Sequence, residues 1–371
     1  MKRLLLAAVA ALTLAQPALA SPPPVVARSY LVLNASTGEV LAARNPHARV
    51  PIASITKLMT VLVALGRANG LTQPIVVADD ASEVGESTVH LRPGERIPVG
   101  DLVKAALIQS ANDAADALAD GWGDSTAFVA AMNARARAFG LSDTTFVRPD
   151  GLDAAGHLSS AWDVTRLARI AMQNTFVRKT VRERTAVIAG GRRLHTWNDL
   201  LGAFPGLIGV KTGHTGGAGW CQVAAAQEPG TTIYATILGS PSRARRNGDL
   251  AALLRWGLAR YRVARVIEQG RPYALAAVGY GRASLPLVAP SAARHAVRVG
   301  RPLVERVVAP GAVKLPVRAG ARLGWVRVYE GKRLLAQRPL VAARRIDPPG
   351  ALARAGFYAK RTVRHIWGWL A

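Results

Sequence analysis

Ser54 and Lys57 stand three residues apart in the run Pro51-Ile52-Ala53-Ser54-Ile55-Thr56-Lys57. On a helix this spacing puts both side chains on one face, so the lysine amine approaches the serine hydroxyl. A serine hydroxyl attacks a carbonyl only when a base takes its proton. Lysine can be that base if burial or a neighbouring cation lowers its pKa toward neutrality. A helix N-terminus beside the nucleophile adds a favourable dipole. Ser-x-x-Lys also recurs by chance on many helices, so other groups must converge with it.

Two further triplets have suitable chemistry. In Ser110-Ala111-Asn112 a hydroxyl and an amide lie two residues apart at a helix break. There Ser110 can relay a proton to a leaving amine while Asn112 holds Lys57 and a substrate amide. The plainer role for Asn112 is to cap the next helix. Lys211-Thr212-Gly213 ends the apolar run Leu207-Ile208-Gly209-Val210 and precedes His214-Thr215-Gly216-Gly217. A lysine and a hydroxyl at a strand edge suit a carboxylate, and the glycine lets a ligand approach the backbone. The plainer alternative is a basic residue at a strand end. All three triplets occur in order, each in a fitting context.

The elements that must position them follow from periodicity. Alternation around Ser36-Thr37-Gly38 predicts a β-hairpin over 28–41. Apolar residues at helical spacing predict a helix over 52–65, its first turn suited by Pro51. Further helices are expected at 101–109 and 112–119, broken around Ser110-Ala111, and at 128–139, 161–172 and 250–261. Strands are expected at 206–210, 220–225 and 231–238. Strands at both ends with helices between them give a mixed α/β (α+β) domain whose sheet is assembled from distant parts of the chain. After Arg262 short period-two runs at 297–299, 304–308, 313–317, 325–329 and 333–336 predict a smaller all-β domain with Arg and Lys outward.

Residues 350–371 are helical in period. Leu352, Ala355, Ala359, Val363, Ile366, Trp367 and Leu370 fall on one side, and Arg354, Arg361, Arg364 and His365 on the other. Such a basic amphipathic helix suits the surface of an anionic bilayer, with packing on the β domain as the alternative; Phe357 is the large residue out of place. At the other end, Lys2-Arg3, the apolar stretch 4–14 and Ala18-Leu19-Ala20 predict a secretory signal cleaved after Ala20.

Composition excludes other classes. One cysteine, Cys221, rules out an intramolecular disulfide, and its apolar run makes it a buried small residue. Seven scattered histidines lack metal-site spacing, so neither metal nor cofactor is expected. The net charge of +25 is concentrated after Ser240, where 26 of the 48 basic residues and 5 of the 23 acidic ones lie. That excess sits downstream of every motif above, beside no nucleic-acid module, and points to an anionic membrane or wall polymer rather than nucleic acid.

With these motifs, and with Asn34-Ala35-Ser36-Thr37-Gly38-Glu39-Val40, Asp150-Gly151-Leu152-Asp153 and Lys211-Thr212-Gly213-His214-Thr215, the chain resembles the D-alanyl-D-alanine carboxypeptidases. These are low-molecular-mass penicillin-binding proteins that trim peptidoglycan stem peptides. The likeness is continuous over about 25–261 and looser to about 341. It implies a β-lactamase/transpeptidase-like catalytic domain at 25–262, with an antiparallel sheet and a helical subdomain. A β-rich domain at 263–346 and a membrane-associating helix at 350–371 would follow. By resemblance Ser54 is the acylated nucleophile, Lys57 its base, and Ser110 and Asn112 line the cleft. Lys211, Thr212, Gly213 and His214 bind substrate, with the backbone N–H groups of Ser54 and His214 as the oxyanion hole. Peptidoglycan stem peptides and, as acylating inhibitors, β-lactam antibiotics are the implied partners. The implied place is the outer face of the cytoplasmic membrane. D,D-endopeptidases and transpeptidases share the motifs, and a non-catalytic wall-polymer binder is the alternative from another class. No Glu occurs between Ser110 and Met172, where class A β-lactamases carry a deacylating glutamate, so fast penicillin hydrolysis is not expected.

Overall fold

The computed structural model describes residues 9–12 and 21–370, with side chains over 21–363. Apart from Val9–Leu12, the expected leader lies outside the described residues. The chain divides into two units, one spanning Ala20–Arg260 and the other built from Tyr261 onward with Val9–Leu12.

A five-stranded antiparallel sheet organises the first unit. Its strands are β1 (Ser29–Asn34), β2 (Val40–Arg44), β3 (Leu207–Thr215), β4 (Gly219–Glu228) and β5 (Thr231–Ser240), in spatial order β2-β1-β5-β4-β3. The N-terminal hairpin is therefore completed by strands from more than 150 residues away in sequence. Registers such as Leu33 opposite Tyr234 and Leu31 opposite Thr236 put these pairs on one face and Val32 opposite Ala235 on the other. One face carries helix α4 (Arg243–Leu258), where a Cβ on Gly257 would meet Ile233 at 2.8 Å and Val32 at 3.3 Å. The other carries α3 (Ala161–Ala171), whose Thr165 hydroxyl meets that of Thr236 at 2.6 Å. This second face opens into the main core, which gathers α1 (Lys57–Arg67), α2 (Asn112–Asp120), Phe128, Met132 and Phe146. Every position of α1 from Lys57 to Ala64 is buried, so it reads as an apolar run rather than a stripe.

Three departures from the expected elements bear on function. The helix anticipated from residue 52 begins with a 3₁₀ turn, Ala53–Thr56, and becomes α-helical only at Lys57. Before the Ser110 break the helix widens, from α over Val99–Lys104 to π over Ala105–Gln109. The strand carrying Lys211 does not end there but runs on to Thr215, so the triplet lies within an edge strand.

The second unit has its own core and a sheet in which Leu303–Val308, Arg322–Glu330 and Arg333–Ala342 pair in sequence. Val9–Leu12 pairs antiparallel with the first of these. The expected strand at 313–317 does not form. Pro316 has no N–H to donate, and only Val317 bridges, to Ile346. The C-terminal helix spans Ala351–Leu370. Phe357 packs edge-on against Tyr280 at 5.5 Å, while Leu352 is 91% exposed. The residue that broke the amphipathic pattern packs within its own unit.

Candidate active site

The first motif is folded under strain. Ala53 has φ +51° and Ser110 has φ +65°, both left-handed and costly for residues with a Cβ. What holds the Ala53–Thr56 turn is tertiary. Thr56 Oγ1 donates to the Ala53 carbonyl at 2.9 Å and meets His157 Nε2 at 2.7 Å. His157 Nδ1 accepts from the Val147 N–H at 3.0 Å, so in the neutral ring Nε2 carries the proton and donates to Thr56. Burial pushes the His157 pKa down to about 4, which keeps the ring neutral. Gly151 lies under the same turn with φ +87°, and a Cβ there would stand 2.3 Å from the Ala53 oxygen.

Lys57 is fully buried, and its three donors have three acceptors. Its Nζ lies 2.9 Å from Ser54 Oγ, 2.6 Å from Asn112 Oδ1 and 2.6 Å from the Asp150 carbonyl. Burial lowers its pKa from 10.5 to about 8, partly opposed by the carboxylates of Asp150 and Asp116. The sequence requirement that the lysine be desolvated is met. Asn112 does not cap: its helix starts from Ala111 without a side-chain cap, and its amide instead bridges Lys57 and the Gly85 carbonyl, at 2.9 Å. Asp150 is fixed by Arg148 through two 2.6 Å contacts. One helical turn beyond Asn112, Asp116 has a buried Oδ1 with no hydrogen bond, and burial raises its pKa to about 8.

Lys211 makes a second serine–lysine pair. Its Nζ donates to Ser110 Oγ at 2.8 Å and to the Thr212 carbonyl at 2.9 Å, and the side chain is 2% exposed. Burial and the nearby Lys57 and Arg246 hold its pKa well below the usual lysine range. The edge strand passes so close to the Ser54 turn that a Cβ on Gly213 would lie 2.8 Å from the Ile52 oxygen and 3.1 Å from the Ser54 nitrogen.

Ser54, Ser110, Asn112, Thr212, Gly213 and His214 share a cavity of about 240 Å³. The amines of Lys57 and Lys211 stand behind the serines they contact. The cations on the wall itself are Arg243 and Arg246. Arg246 is buried and lies over the Trp220 ring at 5.6 Å, with Asp199 at 3.5 Å; burial lowers its pKa to about 10, so it stays charged at neutral pH. His214 contributes a ring stacked on Trp220 at 4.0 Å, and Trp197 closes the far side, its indole N–H donating to the Gln109 carbonyl at 2.8 Å. Gly217 is explained by Asp153, whose Oδ2 accepts its N–H at 2.8 Å and would sit 3.0 Å from a Cβ.

Sequence motifs did not disclose Arg246, Trp197, Trp220, His157 or Asp116. Arg246 had one signal: it lies in Arg243-Ala244-Arg245-Arg246, a basic cluster in a first helical turn, where the dipole disfavours cations unless something else requires them. Among the described residues no group of three or more His, Cys, Asp or Glu side chains could hold a metal ion.

Chemically, an amine of lowered pKa beside a hydroxyl, a second hydroxyl held by a second amine, and an arginine on the wall can transfer an acyl group from an anionic substrate. Comparison with known proteins agrees. The family model described as D-alanyl-D-alanine carboxypeptidase (peptidase S11) matches residues 16–242. The chain is 29% identical over 353 residues to the D-alanyl-D-alanine carboxypeptidase DacD of Salmonella typhimurium, covering 91% of this chain and 90% of that one. It is 35% identical over 262 residues to a D-alanyl-D-alanine endopeptidase of Pseudomonas aeruginosa, covering 64% of this chain and 82% of that one. Among solved structures, penicillin binding protein 5 from Haemophilus influenzae superposes with a TM-score of 0.65 at 25% identity, over 89% of this chain and 100% of that one.

Proposed function

Because the chain belongs to the D-alanyl-D-alanine carboxypeptidase family, we propose that Ser54 is the nucleophile that removes the terminal D-alanine from peptidoglycan stem peptides. The observation that carries this reading is the Lys57 amine, buried, lowered to about pKa 8 and 2.9 Å from Ser54 Oγ.

In its neutral form Lys57 takes the Ser54 proton as Oγ attacks the carbonyl of the penultimate residue. The oxygen of the tetrahedral intermediate falls to the backbone N–H groups of Ser54 and His214, a donor type worth about 3–4 kcal/mol each. The C–N bond then breaks, and the proton reaches the departing amine of D-alanine through Lys57 or Ser110, the latter polarised by Lys211 at 2.8 Å. Water hydrolyses the ester, returning Ser54. The terminal carboxylate is held by the Thr212 hydroxyl and Arg246 on the cavity wall, with Lys211 adding its field from behind Ser110. A β-lactam would acylate the same hydroxyl.

A carboxypeptidase is favoured over an endopeptidase because the carboxypeptidase relative matches 91% of the chain, second unit included, whereas the endopeptidase matches 64%. We also assign 1–20 to an export signal removed after Ala20, and the last helix to the outer face of the cytoplasmic membrane. Its exposed Leu352 and Val363 support that docking, and among the described residues no helix is long and apolar enough to cross a membrane. Purified protein should release D-alanine from a peptide ending in D-Ala-D-Ala. Release of no D-alanine under conditions where Ser54 still takes up penicillin would leave the family intact and remove the carboxypeptidase.

A further inference from the structure

The first unit has a second cavity, larger than the one at the active site. It measures about 680 Å³ and lies between α3 and the opposite end of the sheet, where β1 and β4 end and β3 and β5 begin. It shares no lining residue with the catalytic cavity. Along β3, Ile208 in this cavity and Thr212 in the other are four residues, roughly 13 Å, apart.

Its lining combines an apolar floor with cations and neutral polar groups. The floor is apolar, with Leu31, Leu33, Ile170 and Ile208. Arg166, Arg169, Arg178 and Arg182 also line it, among neutral side chains such as Gln173 and Gln227, and no carboxylate does. None of the four makes an ion pair among the described residues. Arg169 and Arg178 are half-buried and steered by backbone carbonyls, those of Ala35 at 3.1 Å and Met172 at 3.0 Å, which leave donors of each guanidinium unspent. Arg166 and Arg182 stand exposed at the rim.

Tyr234 points to what belongs there. It is 5% exposed and lines the cavity, and its hydroxyl makes no hydrogen bond among the described residues. Arg169 and Arg178 are close enough to act on that hydroxyl, although burial dominates and pushes it up to about 12, so it remains a donor at any physiological pH. The ring is buried but the oxygen is open to the cavity, where a ligand or water can accept its hydrogen bond. Two guanidiniums around it make that acceptor an oxyanion. An inorganic anion would leave most of the 680 Å³ and the apolar floor unused.

We propose that this cavity is a second binding site, separate from the active site, for an organic anion with an apolar body, a hydrocarbon chain ending in phosphate or carboxylate. The head meets Tyr234, Arg169 and Arg178, and the chain lies along the floor.

The test is calorimetric titration of the full-length protein with octyl phosphate below its micellar concentration. Inorganic phosphate and octyl glucoside serve as the head-only and tail-only probes. One octyl phosphate should bind per chain, at least tenfold tighter than either control. Tyr234→Phe should weaken it several-fold, Arg178→Gln about tenfold, and Gln173→Glu, which puts a carboxylate on an exposed lining position, by as much again. Gln173→Glu alters no buried group, so it keeps the test open if a buried variant folds poorly. Arg246→Gln should change nothing, which separates this site from the catalytic one. Equal binding of octyl glucoside or of inorganic phosphate would overturn the proposal. So would octyl phosphate affinity indifferent to all three cavity variants, whether it then tracked Arg246 or the C-terminal helix.

Discussion

The pKa of Lys57 fixes how fast Ser54 can be acylated at each pH. Burial lowers it from 10.5 to about 8, a penalty of about 3 kcal/mol on the ammonium form. Only the neutral amine accepts the Ser54 proton, so at pH 7 about one molecule in ten is competent and at pH 9 about nine in ten. Acylation should therefore rise about tenfold between pH 7 and pH 9 and level off above. The assay is the second-order rate of fluorescent-penicillin uptake measured from pH 6 to pH 10 at constant ionic strength. A carboxylate at Asp116 raises the Lys57 pKa. Asp116→Asn should thus move the midpoint to lower pH, and do so only modestly because the Asp116 carboxyl is itself pushed up to about 8 and is mostly protonated at pH 7. A rate that is flat over this range, or that still climbs tenfold per pH unit at pH 10, would refute Lys57 as the base.

Three other outcomes follow from contacts. Gly213→Ala places a Cβ 2.8 Å from the Ile52 oxygen, so the edge strand must move off the Ser54 turn; penicillin uptake should fall at least tenfold, with about 1–3 kcal/mol of stability lost in thermal melts. Arg246→Gln should raise KM for a D-Ala-D-Ala peptide by one to two orders of magnitude and affect an esterified substrate, which lacks the carboxylate, far less. Deleting 351–371 should abolish salt-sensitive sedimentation with vesicles containing anionic lipid and leave peptide hydrolysis in solution unchanged.

The chemistry-bearing residues were legible because Ser54 and Lys57, or Ser110 and Asn112, are close in sequence and must be specific side chains. Their supports were not, because they act through the backbone or across the fold. Asp150 contributes a carbonyl to Lys57, which any residue could supply, and Gly151 contributes only the absence of a Cβ beneath Ala53. His157 is 101 residues from the Thr56 it holds. Periodicity could not see the 3₁₀ start or the left-handed Ala53 and Ser110, since tertiary contacts impose both against local preference. The strand pairing was legible as an antiparallel sheet, but that β3 runs past Lys211 to Thr215 depends on β4 pairing through Trp220 and Gly219. In the second unit Pro272–Ala276 and Leu285–Val288 are strands that begin at or contain proline, which masked their alternation.

Everything proposed for this site depends on Ser54 carrying the acyl group. Mass spectrometry of the protein after brief incubation with benzylpenicillin, followed by peptide mapping, tests it directly. One adduct per chain is expected, on the peptide containing Ser54, absent from Ser54→Ala and greatly slowed in Lys57→Met. An adduct on Ser110 or elsewhere, or an undiminished adduct on Ser54→Ala, would contradict it.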